Sequence, residues 1–423
     1  MVRNQFIKSD LKKFFMPAII SKIIGSITIV FIYQFYYEGG DTVHFFKDST
    51  VITDALTSSP VSAYKILLVS SNENDPDINR FTRRLTFFND EGCLLLAKVA
   101  GIINLFTFSS FLPTSILMGL LGLTGMWGFF LVLVNIEPAL SKYFAISTLY
   151  MPTVFFWGSG IIKDTLVLGA MGWAVYSFYT MFFKFRKPFQ STFIFILAMY
   201  MIVTIKIYVG ICLLPALLVW MILTYNHTIK STFLKTLTKP LLLTLAIIAA
   251  VFATYKLTEN NQRYSFDQII ETSQVTGLYI SQVSKIVGGS VYDLGKIEYT
   301  FTGILKMIPA GINVTLFRPY LWEVTNPLML ISSLESTFFL VLTIYIIFIK
   351  TGFFRTLFLI NKTPFLIACF AFSLPFAFAV GISTLNFGTL ARYKLPLIPF
   401  YLSGLYYLNY LAEKNPKPKK QLA

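Results

Sequence analysis

The sequence predicts an all-α fold, a polytopic membrane bundle of about ten spanning helices that together make one integral membrane domain over residues 1–423. Three observations carry the prediction. Of the 423 residues 55% are hydrophobic and only 13% charged, with mean hydropathy +0.67. That balance gives a soluble fold too little polar surface to cover its core. Long apolar runs also recur along the chain, and the net charge of +15 is confined to the segments between alternate runs. A soluble enzyme, a disordered tail and a disulfide scaffold are thereby excluded. Cys93, Cys212 and Cys369 fall in apolar stretches without redox or metal spacing and read as inert residues of the core or the lipid side.

A spanning helix needs about 20 mostly apolar residues. Spans are predicted near 15–36, 112–134, 141–157, 164–184, 191–207, 209–225, 240–257, 328–349, 364–383 and 395–411. With the N-terminus inside, the inner segments hold 18 basic residues against three acids, Asp10, Glu137 and Glu413. The remaining charges balance, so the whole excess lies on one side, as the positive-inside rule expects. It sets topology and meets anionic membrane lipids, and no nucleic-acid partner is implied. Residues 412–423 form a basic inner tail. The first span, with no small-residue cleavage site after it, is expected to be an uncleaved anchor.

Residues 93–110 are apolar enough to span, but a crossing there would turn the basic 184–187 segment outward. They are therefore expected to form a juxtamembrane or re-entrant helix, with Lys98 reaching for headgroups. Two outer loops are long, 37–111 with juxtamembrane helices and 258–327, and place the work outside the cytoplasm.

Ionisable groups at membrane depth mark candidate sites. Asp41 follows Gly39-Gly40, a pair that permits a sharp turn, and His44 and Asp48 lie beyond it. The run Pro152–Asp164 turns on Gly158 and Gly160 and presents Lys163 and Asp164 at the head of a helix, where Asp164 either serves function or complements the helix dipole. Lys206 and Tyr208 flank the tight turn between two spans, the lysine either snorkelling or meeting a phosphate. Arg318 and Glu323 bracket Tyr320 and Trp322, the acid and base as a pair and the rings as interface anchors. Glu335, inside the following span, should face a polar cavity or the bundle interior. Arg392 and Lys394 are the basic groups of the last outer loop, with Arg392 suited to bidentate contact with phosphate oxygens. Carboxylates able to take a proton, with fixed cations to stabilise a departing phosphate, suit chemistry on a lipid-linked phosphate. Asp41 and Asp164 are the candidate catalytic acids. Lys163, Lys206, Tyr208, Arg318, Glu323, Arg392 and Lys394 are the candidate substrate and lipid-phosphate ligands. No histidine–cysteine metal spacing is found, so no metal ligands are assigned, although Asp164 could hold a divalent ion. A lipid-linked oligosaccharide flippase is the competing reading.

The order of these features resembles the GT-C superfamily of membrane glycosyltransferases. Its members carry an acid just after the first span, as at Asp41, a second at the outer start of a later span, as at Asp164, a lysine near an outer turn, as at Lys206, and a late arginine before a proline-punctuated span, as in ARYKLPLIPF. The segments PTVFFWGSGIIKDTLVL and NFGTLARYKLPLIPF are also similar to stretches of O-antigen-polymerase-like proteins of bacterial polysaccharide clusters. The first acid stands in GGDT rather than in an acid pair, a departure that points toward a polymerase. The resemblance implies a glycosyltransferase or polymerase of the bacterial inner membrane with both termini cytoplasmic. It would use a polyprenyl-phosphate-linked sugar at the outer face, with a glycan, lipid or protein acceptor.

Overall fold

The computed structural model describes residues 11–228, 290–295 and 301–415, with positions 275, 279 and 282. The expected span 240–257, nearly half of the 258–327 loop and the end of the basic tail lie outside the described residues. Among the described residues the protein is all-helical, with one isolated bridge between Val291 and Asn386. Six helices are long and apolar enough to cross a membrane: Lys12–Tyr36, Phe111–Ile136, Lys163–Phe182, Pro188–Asn226, Pro327–Thr351 and Pro364–Thr384. This is a multi-pass membrane protein. Its chain divides into two compact units, residues 1–136 with 148–207, and residues 137–147 with 208–423.

In the first unit α1 (Lys12–Phe31) ends in a π-helical turn, Ile32–Tyr36. The chain then reverses through Gly39 and Gly40, whose φ values of 149° and 102° suit glycine. α2 (Asp41–Ser58), α3 (Pro60–Leu68) and α4 (Glu91–Thr107) fold the first long loop into a helical layer with its own core of Ile52, Ala55, Ile66, Phe81 and Leu94. α4 covers the expected juxtamembrane segment and is not among the six span-length helices. Its inward face is partly polar. Asn104 donates to Ser49 at 2.9 Å and accepts from Thr114 at 2.6 Å. Lys98 does not reach outward as expected: it is buried and donates to the Val69 carbonyl at 2.6 Å, where it caps the end of α3. A carbonyl that α3 leaves without an intrahelical donor takes the ammonium in place of water.

Helices α5 (Phe111–Ile136) and α7 (Lys163–Phe182) cross along a seam of glycines, with the short α6 (Pro152–Trp157) between them in sequence. A Cβ on Gly125 would lie 1.8 Å from the Gly169 carbonyl oxygen, and one on Gly172 would lie 2.1 Å from that of Gly125. The backbones therefore touch, a mode of packing that apolar solvent favours because lipid tails give no hydrophobic drive for helix association.

The expected span 141–157 is not one continuous helix. It breaks at Met151, whose φ and ψ of −58° and 130° are extended, because Pro152 lacks an N–H and disfavours helical geometry in the residue before it. The two expected spans 191–207 and 209–225 fall within one helical element, α8 (Pro188–Thr228), interrupted only at Lys206 (φ −145°, ψ 80°). Its 41 residues at about 1.5 Å each would run roughly 60 Å, about twice the hydrocarbon thickness. The break divides α8 into two pieces of span length.

The second unit contains α9 (Ile308–Phe317), α10 (Pro327–Ile344) with its π-helical extension Tyr345–Thr351, α11 (Phe353–Lys362), α12 (Pro364–Thr384), α13 (Phe387–Tyr393) and α14 (Leu397–Lys414). Asn326 caps α10 by accepting from the Met329 N–H at 2.9 Å, and Asn386 caps α13 by accepting from Thr389 at the same distance. α14 covers the expected last span but is less apolar than the six.

Candidate functional site

The first unit gathers four charges from three elements. Asp90 caps α4 by accepting from the Cys93 N–H at 2.8 Å, and the same carboxylate takes Lys163 at 3.0 and 3.1 Å. One residue on, Asp164 pairs with Lys206. The helical backbone at the head of α7 points successive side chains in different directions, so Lys163 turns to α4 and Asp164 to the break in α8. Asp164 is 2% exposed and Lys206 7%, against 20% and 50% for Lys163 and Asp90. The inner pair is dry and the outer pair open. Burial pushes the Asp90 carboxyl up, but Lys163 and the Cys93 N–H outweigh it and hold the group below its ordinary value. Burial drives the Cys93 thiol up to about 12, which fits an inert cysteine.

The turn that carries Lys163 and Asp164 is held from behind. Lys22 of α1, 1% exposed, donates to the carbonyls of Val154 (3.2 Å) and Gly158 (2.5 Å) at the end of α6. A Cβ on Gly158 would come within 2.9 Å of the ammonium nitrogen. A buried cation is expensive unless paired, and here a helix C-terminus takes the place of a carboxylate.

Asp41 stands exposed in the first turn of α2, after the glycine reversal. Asp48 is structural: buried, it accepts from the backbone N–H groups of Thr86 and Phe87 at 2.8 and 3.1 Å and pins the loop that leads to α4. His44 meets the edge of Phe87 at 6.0 Å.

The second unit holds the other candidates. Arg318 and Glu323 form the expected pair: Nε donates to both carboxylate oxygens at 3.1 Å and the guanidinium makes a further contact. Burial pushes Glu323 up, but Arg318 and the Tyr320 N–H at 2.8 Å hold it below its ordinary value. The guanidinium also lies 5.3 Å from the Phe387 ring and 5.8 Å from that of Tyr292. Tyr292 is a partner that the sequence reading did not single out. Its hydroxyl donates to the Gly381 carbonyl at 2.8 Å, and burial raises the phenol.

Glu335 is 4% exposed and so faces inward, as expected. Lys394 does not stand open to a phosphate. It is 1% exposed, donates to Ser336 at 2.9 Å and lies over the Phe339 ring at 5.7 Å. Burial pulls its ammonium below the ordinary value, while Glu335 pulls the other way. Ser336 in turn donates to the Arg318 carbonyl at 3.0 Å, so Lys394 braces the Arg318 segment. Arg392 is half-buried in the last turn of α13, and Tyr208 packs near Phe376 and Tyr393 at 5.7 and 6.1 Å.

Among the described residues no three His, Cys, Asp or Glu side chains converge as a metal ion would need. Comparison with family models, with curated proteins and with solved structures gives no match.

Proposed function

We propose that this protein is a GT-C-like glycosyltransferase or polysaccharide polymerase of the bacterial inner membrane, with ten spans and both termini cytoplasmic. It uses a polyprenyl-phosphate-linked sugar at the outer face to build a cell-envelope glycan or glycoconjugate. The observation that carries the reading is the Asp90–Lys163 and Asp164–Lys206 cluster, two acids and two bases at helix ends in the first unit. In the proposed reaction an acceptor hydroxyl gives its proton to a carboxylate as its oxygen attacks the anomeric carbon. The bond from that carbon to the phosphate oxygen breaks, and the polyprenyl phosphate leaves with the electron pair.

Asp41 suits the proton-accepting role because it is exposed, and Asp164 suits a positioning role because it holds Lys206. Lys163, on the open pair, is the cation best placed to exchange its carboxylate for a phosphate. In the second unit, taken by itself, the half-buried Arg392 is a candidate phosphate contact, while Arg318 and Lys394 act inside the fold. The acceptor is a glycan, a lipid or a protein.

A second reading, translocation of a lipid-linked oligosaccharide, is favoured by the buried charges within span-length helices, Lys22 in α1 and Glu335 in α10. One assay separates the two. Protein in vesicles is supplied with labelled polyprenyl-phosphate sugar and candidate acceptors. Transfer that disappears in Asp41→Asn, with expression and insertion unchanged, supports the transferase; full turnover in that variant overturns the role given to Asp41. Movement of the labelled lipid across the bilayer without any chemical change would establish the transport reading instead.

A further inference from the structure

Helix α11 is inside out. Thr356 and Leu359 are its buried residues, while Phe353, Phe354, Leu357 and Phe358 are exposed, Phe354 at 85%. Three of the four, Phe354, Leu357 and Phe358, are spaced as neighbours on one helical face, and Phe353 borders them. A helix at a water-facing surface carries its apolar face inward, so this arrangement calls for an apolar phase outside the protein.

The chain on either side says which phase. α11 is joined through Gly352 to the span-length Pro327–Thr351 and through Thr363 to the span-length Pro364–Thr384. Ten residues between two crossings cannot leave the boundary of the bilayer by far. The aromatic strip is also continuous with the preceding span, since Phe348 stacks on Phe353 at 6.2 Å with the rings 9° from parallel. Cations rim it. Lys350 pairs with Glu413, Arg355 donates to the Ala412 carbonyl at 3.3 Å, and Lys362 lies over the Phe358 ring at 4.2 Å.

We propose that α11 lies in the membrane interface, with the ridge of Phe354, Leu357 and Phe358 among the acyl chains and Lys362, Arg355 and Lys350 collecting anionic phospholipid headgroups. The site is independent of the catalytic reading. Lys362 is the most exposed of the three cations and is paired with a ring rather than an acid, and so is the group that decides headgroup preference.

The test is a nitroxide at position 354 (Phe354→Cys, with Cys212→Ala; Cys93 and Cys369 are buried) in full-length protein reconstituted in phosphatidylcholine vesicles, with and without phosphatidylglycerol. A label at Leu357→Cys serves as the second site if the first variant does not fold. The expected result is frequent collision with oxygen and rare collision with a water-soluble nickel chelate. Phosphatidylglycerol should shift the label deeper, and Lys362→Gln should remove that shift. Ready access for the chelate would mean that the ridge faces water, and shielding from both reagents would mean that protein covers it. Either result overturns the proposal. A depth that does not respond to phosphatidylglycerol overturns the headgroup assignment.

Discussion

In the first unit charged side chains reach across the chain: Lys163 finds Asp90 at a separation of 73 residues, Asp164 finds Lys206 at 42, and Lys22 finds the Val154 carbonyl at 132. In the second unit Lys350 also finds Glu413, at a separation of 63, but Arg318 and Glu323 are five residues apart and mainly shape their own loop. A long-range pair fixes how separate helices meet, whereas a local pair sets the conformation of one segment. The two kinds of contact should therefore fail differently. Loss of a charge in the first unit should loosen tertiary structure, and loss of Glu323 should alter a loop.

The largest effect is expected at the dry pair. Lys206→Met or Asp164→Asn leaves an uncompensated buried charge or breaks its partnership, and should cost about 3–5 kcal/mol in detergent unfolding. The double variant should recover much of that loss. Additive single effects would show that the two groups do not depend on each other, and would remove the contrast between long-range and local pairs. Next comes Lys22→Met, expected to cost about 1–3 kcal/mol because the Gly158 carbonyl loses the ammonium and that of Val154 keeps only the Gly158 N–H. Proteolysis near Gly158 should rise with it; an unchanged digestion pattern would show that the turn stands without the lysine.

Glu323→Gln should cost roughly 1–2 kcal/mol, since the amide keeps one acceptor for Arg318 but gives up the charge. Its signature should be confined to the 318–326 segment in hydrogen exchange. The smallest effect is the acid limb of stability. Asp90 and Glu323 have folded-state values below their ordinary 3.8 and 4.5. Their contribution is therefore present above those values and lost as pH falls through the lower folded ones. Lys163→Gln should flatten the Asp90 part of that limb, and a pH profile identical to wild type would show that the outer pair is too well solvated to matter.

These differences also explain what could be read from residues alone. The glycine reversal before Asp41, the turn at Gly158–Gly160, the helix opening at Lys163 and the break at Lys206 are local, and each announces itself in a few adjacent letters. Asp90 does not. In sequence it is an ordinary helix cap, and only the fold shows that the same carboxylate also holds Lys163. Lys98 and Lys394 are hard to place from sequence for a related reason. A lysine in an apolar neighbourhood looks as though it must reach outward, yet a spare carbonyl or hydroxyl from a distant helix can take its protons inside. Periodicity identifies which face of a helix is turned in, but the polar atom that waits there belongs to another part of the chain. Pro152 is plain in the sequence, but the apolar run around it is long enough to span and hides the break that it imposes at Met151.

The glycine seam between α5 and α7 has a consequence for how this scaffold can vary. With carbonyl and Cα atoms of the two helices in contact, even one methyl group at Gly125 or Gly169 has nowhere to go. The two helices are therefore packed backbone to backbone along this seam, with no room for a side chain between them. Asp164 and Lys163 stand at one end of that seam, so a movement that brings other parts of the first unit toward them would have the head of α7 as its reference.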